Sequence, residues 1–134
     1  MKKEELLALW NGKEWDNNIA GIYFISQHFK PELHLNFTGY LESDVFSISD
    51  DFMKRLFREL EQLDEEVHKV IQNEYPNEDV SELELTDIIF DKSGCYGAFA
   101  LGYDAGESPA GQLYLLVKFD EQFQADTEFV YETY

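Results

Sequence analysis

The chain has 134 residues, of which 28 are Asp or Glu and only 10 are Lys or Arg, giving a net charge of −18 at neutral pH. An acidic disordered tail is poor in aromatic residues, so 11 Phe, 8 Tyr and 2 Trp predict a folded domain with a strongly negative field. That charge disfavours nucleic acid and anionic membrane surfaces as direct ligands, because both are recognised through positive charge.

The length suits a single domain over residues 1–134, large enough to bury roughly 70% of the surface that its extended chain exposes. One cysteine, Cys95, cannot form an internal disulfide, which points to a reducing, cytoplasmic setting. The opening Met1-Lys2-Lys3-Glu4-Glu5 lacks an apolar run, so no cleaved signal peptide is expected. Nowhere does an apolar stretch approach the roughly 20 residues that cross a bilayer. Acidity is uneven. Residues 1–73 hold 14 acids and 8 bases, whereas residues 74–134 hold 14 acids against Lys92 and Lys118 alone.

Leu6, Leu7 and Trp10 lie at helical spacing before Asn11-Gly12, which reads as a helix stop or, alternatively, as a hairpin turn. Ile19 to Phe29 is β-branched and aromatic, as a strand requires. A second strand follows Lys30-Pro31, with Leu33, Leu35 and Phe37 on one face and His34, Asn36 and Thr38 on the other. Met53, Leu56, Leu60, Leu63, Val67 and Val70 then form one helical stripe, widened by Phe52, Phe57 and Ile71. Ser49 and the acids after it mark its start, and Pro76 ends it. Asp64-Glu65-Glu66 resembles a second helix start, leaving one helix or two over residues 49–75.

Strand signals return at Leu83 to Ile89, at Tyr96 to Leu101 and at Leu113 to Phe119, with Asp91 to Gly94 as a turn. Asp104 to Gly111 reads as a connecting loop, and Glu128 to Tyr134 as an edge strand. The order predicts an α+β fold. An N-terminal hairpin and a C-terminal meander form an antiparallel sheet, with one long or two consecutive helices packed on one face.

Familiar chemistries find little footing. His28, His34 and His68 lack the spacing of a zinc protease, and no cysteine pair exists for a structural zinc, so no metal or cofactor is expected. Cys95, among acids, lacks a base to activate it and reads as a small core residue. The loop Gly102-Tyr103-Asp104-Ala105-Gly106-Glu107-Ser108 has neither the lysine nor the glycine pattern of a phosphate loop. Asp87, between Leu85 and Ile88, is the one carboxylate in an apolar setting.

The stretch from Leu33 to Tyr75, above all Leu60 to Tyr75 (LEQLDEEVHKVIQNEY), together with the strand meander after it, resembles small acidic bacterial proteins of unknown function. Some of those are encoded beside toxins of interbacterial competition systems and are regarded as immunity proteins. The resemblance implies a binding role, and many such toxins are basic nucleases. It carries over no functional residue.

Together these readings predict a non-enzymatic protein that captures a basic protein partner, a toxin for instance, by electrostatic steering. Glu82, Glu84, Tyr103, Asp104 and Glu107 are the candidate contacts, with Tyr103 as apolar anchor. The rival expectations are an enzyme built on a carboxylate pair and a homodimer joined near Phe129 and Tyr131.

Overall fold

A computed structural model of the protein describes residues 1–77, 79–81, 83–108 and 111–133, without the side chains of residues 107, 108, 112 and 131–133. The elements run α1 (Lys3–Trp10), β1 (Gly12–Asn18), β2 (Gly21–Ser26), β3 (Leu33–Thr38), α2 (Glu42–Phe46) and α3 (Asp50–Glu74). After them come β4 (Glu84–Asp91), β5 (Phe99–Ser108), β6 (Gly111–Phe119) and β7 (Val130–Thr133). The fold is α+β, and its seven strands stand in one sheet in chain order.

Asn11-Gly12 is a helix stop. Asn11 takes the left-handed conformation (φ 49°, ψ 52°), and its N–H donates to the Leu7 carbonyl. The strand that follows, β1, is not among the elements expected from the sequence, whose first strand begins at Ile19. It is an edge strand with a bulge between Lys13 and Asp16, and Glu14 sits at φ 59°, so the usual alternation is broken. At the β1–β2 turn Gly21 has φ 141°, and a Cβ there would lie 2.2 Å from the Phe37 carbonyl oxygen, which excludes any side chain.

Every neighbouring strand pair is antiparallel except β3 and β4, which run parallel. The cause is α3. Its 25 residues form one unbroken helix, about 37 Å of chain that returns the backbone to the end of the sheet where β3 began. The Asp64 to Glu66 run therefore lies inside a helix. Ser49 caps α3, its hydroxyl accepting from the Phe52 N–H. Met53, Leu56, Leu60, Leu63, Val67 and Ile71 are buried along it. The last step is four residues, so Ile71 faces inward and Val70 is half-buried.

The helices cover one face of the sheet, and the aromatic residues collect beneath them. Rings form a row across six strands: Trp15–Phe24 (5.8 Å), Phe24–Phe37 (6.2 Å), Phe37–Phe90 (4.7 Å) and Phe99–Phe119 (5.0 Å) are stacked, and Phe90–Phe99 (6.2 Å) is tilted by 39°. Phe52 from α3 meets Phe90, Phe99 and Phe123 edge-on. Such ring pairs contribute about 0.5–1.5 kcal/mol each beyond the area they bury. At the end of α1 the Ser26 hydroxyl, fully buried, donates to the Trp10 carbonyl at 2.6 Å and accepts from the His28 N–H.

Two segments depart from the sequence reading. Asp104 to Ser108 is not a loop but the end of β5, paired with β6 from Gly111 onward and interrupted by a bulge between Asp104 and Glu107. The residue between Asp104 and the bulge, Ala105, is small, and Gly106 at φ 89° supplies the irregular backbone. Cys95 is exposed rather than in the core. Asp91 and Ser93 hold its turn through local hydrogen bonds, and β5 begins only at Phe99.

Leu60 is wholly buried in the middle of α3. Leu60→Ala should cost about 2–5 kcal/mol in chemical denaturation, with an unchanged dependence on denaturant concentration. Cys95, being exposed, should react with a thiol reagent at nearly the same rate in the native and the denatured protein, and Cys95→Ser should leave stability unaltered.

Candidate functional site

Among the described residues no helix covers the opposite face of the sheet, although Ala100 and Leu116 on it are buried. Strand parity decides which residues stand there: His34, Asn36 and Thr38 on β3 pair in register with Asp87, Ile89 and Asp91 on β4. Beside them Asp87 faces Gly102 of β5, and Gly102 faces Leu116 of β6. Asp16 and Tyr23 extend the face toward β1, and Asp104 and Tyr114 extend it toward β6.

Two concavities lie in this face. One, of about 400 Å³, is bordered by Asn18, Tyr23, Thr38, Asp91 and Tyr96. The other, of about 560 Å³, is bordered by Glu32, His34, Thr86, Gly102, Tyr114 and Leu116. Asp87 and Ile89 border both, so Asp87 stands on the saddle between them. Gly102 keeps the floor low: a Cβ there would come within 3.1 Å of Leu116 and 3.2 Å of Asp87. Among the described residues Asn36 Nδ2 donates to Asp87 Oδ2 at 2.7 Å, and no hydrogen bond reaches Oδ1. Glu32 and His34 pair on the rim at 3.0 Å.

The field over the face is negative. The Tyr23 phenol is pushed above its ordinary pKa by burial first and then by the carboxylates of Glu14, Glu32, Asp87 and Asp16. Hydrogen bonds from the Ser93 side chain and backbone hold the Asp91 carboxyl below the usual range, so it stays charged. Glu84 stands directly opposite Asp104 across β4 and β5, a like-charge juxtaposition that costs stability. Among the described residues no Lys or Arg borders either concavity. Lys118 is on this face but lies 3.6 Å from Asp126.

Of the candidate contacts, the structure brings Glu84 and Asp104 together, bordering a third hollow with Asp79 and Gly106. Glu82 lies outside the described residues, and Glu107 is placed in the bulge without a described side chain. Tyr103 is not an available anchor. Its parity turns it to the helix side, where it is fully buried and its hydroxyl donates to Asp64 Oδ1 at 2.5 Å. His68 completes that internal cluster, its Nδ1 2.8 Å from the Asp64 carbonyl and its Nε2 3.0 Å from the Leu83 carbonyl. Asp87, Asn36 and Tyr23 were not among the candidates. The polar alternation of β3 exposes Asn36, but only pairing with β4 sets Asp87 beside it.

His28 and His34 do not meet. His28 stacks on Phe57 at 3.7 Å on the helix side, while His34 lies on the bare face against Tyr23. Among the described residues no three His, Cys, Asp or Glu side chains are grouped to hold a metal ion, and no helix is long and apolar enough to cross a membrane. Phe129, proposed at a dimer contact, is half-buried and packs against the core cluster beside Tyr75. No protein-family model, curated protein or solved structure matches the chain.

Burial first, and then Asp64, push the Tyr103 phenol well above its ordinary pKa of 10.0. A native pKa raised above the unfolded one contributes stability that is complete below about pH 10 and is lost as pH rises beyond it. Denaturation at about pH 9 and about pH 11 should therefore show a larger loss for the native sequence than for Tyr103→Phe.

Proposed function

We propose that the protein is a non-enzymatic binding protein that captures a basic protein partner on its bare sheet face, in the manner of an immunity protein or antitoxin. The observation that carries this reading is the pairing of a helix-free, concave face with carboxylates and aromatic rims, on a chain of net charge −18. An ordered sheet holds the carboxylates at fixed spacing, so they stand in for nucleic-acid phosphates before a positively charged cleft. Long-range attraction brings the partner in, and the aromatic and apolar parts of the face hold it. Occluding the cleft silences the partner without any chemistry.

The direct test pairs this chain with the product of a toxin gene adjoining its own. Association should slow by about tenfold or more between about 20 mM and about 150 mM salt, while dissociation changes little. Glu84→Lys and Asp104→Lys should slow capture several-fold more than Glu4→Lys and Glu5→Lys on α1. An association rate indifferent to salt, or an interface on the helical side, would overturn the mechanism.

A further inference from the structure

The bare face is not uniform, and one place on it has a shape and chemistry of its own. Asp87 rises from an apolar floor of Ile89, Gly102 and Leu116, with His34 and Tyr114 on the walls. Leu116 is buried although it lies outside the helix-side core, so the floor is closed as well as apolar. Asn36 fixes the carboxylate through Oδ2, leaving Oδ1 and the second lone pair of Oδ2 directed away from that bond.

We infer that this concavity takes the guanidinium group of an arginine side chain from the partner, with Asp87 as its counter-ion. The inference rests on the binding role proposed above and names what that face would read. A guanidinium is planar, weakly hydrated and stacks on aromatic walls, whereas an ammonium is compact and strongly hydrated. A flat floor made possible by Gly102 suits the plane, and a positioned carboxylate suits its forked donors. Charge complementarity is local as well as global, because no Lys or Arg among the described residues borders the hollow and Tyr23 registers Asp87 and Glu32 among the carboxylates opposing its ionisation.

The test uses N-acetylated, C-amidated nona-arginine and nona-lysine as probes, with affinities from titration calorimetry and contact sites from amide chemical-shift changes at about pH 8, where histidine is neutral. Asp87→Asn keeps an oxygen for Asn36 and removes only charge, while Glu65→Gln on the exposed side of α3 removes the same charge elsewhere. Asp87→Asn should weaken nona-arginine by about fivefold or more and nona-lysine by less than about twofold, and Glu65→Gln should change either by less than about twofold. Equal thermal midpoints for the two variants establish that both are folded. If both peptides shift amides on the bare face but Asp87→Asn behaves like Glu65→Gln, the arginine pocket is wrong and the binding face stands. If the shifts fall on the helical side, or neither peptide saturates, the binding face itself is overturned along with the pocket.

Discussion

The stacked row of rings from Trp15 to Phe119 is the constraint around which the molecule is arranged. Each ring projects to the same side of its strand, so a one-residue slip of any strand would carry its aromatic side chain out of the row and into water. The row therefore sets register across strands that are far apart in the chain, such as Phe37 on β3 and Phe90 on β4. It also creates one continuous apolar surface, which α3 must cover. The stripe from Met53 to Ile71 does so, and Phe52 reaches down among the rings.

Committing the large aromatics to one side has a consequence for the other. Gly102, Ala100, Asn36, Thr38 and the carboxylates remain there beside Tyr23, Ile89, Tyr114 and Leu116, and the small residues among them keep the face low enough to be concave. A solvated face alone would tolerate a balanced mixture of charge. Here Glu84 opposes Asp104 at close range, and Tyr23 is surrounded by carboxylates. That arrangement opposes folding slightly, because like charges are gathered on one surface.

The polar groups that do enter the core are placed where backbone groups need partners. Ser26 meets the carbonyl at the end of α1, and His68 spans from the helix carbonyl of Asp64 to the Leu83 carbonyl ahead of β4. Tyr103 joins the same cluster through Asp64. These contacts tie α1 and α3 to the strands they cover. The aromatic row and the carboxylates of Asp87 and Asp104 lie on opposite sides of one sheet.

Much of this could be read before the fold was known. The long helix, its capped start at Ser49, the alternation of β3 and β6 and the α+β class all follow from local periodicity, which burial on one face imposes on neighbouring residues. The acidity and its bias toward the C-terminal half are properties of composition. What periodicity could not supply was side and partnership. Tyr103 and Asp104 are adjacent in the chain, yet successive strand residues point to opposite faces, so one is sealed beneath α3 and the other is on the bare face. Asp87 meets Asn36 only because β3 and β4 run parallel, an outcome of a helix returning the chain across 45 residues. Cys95 reads as apolar by composition, but it is exposed in a turn held by hydrogen bonds from the Ser93 N–H to Asp91 and from the Cys95 N–H to the Ser93 hydroxyl oxygen. Local sequence determines which elements form, because their signals lie within a few residues; pairing across the sheet decides which of their side chains share a face.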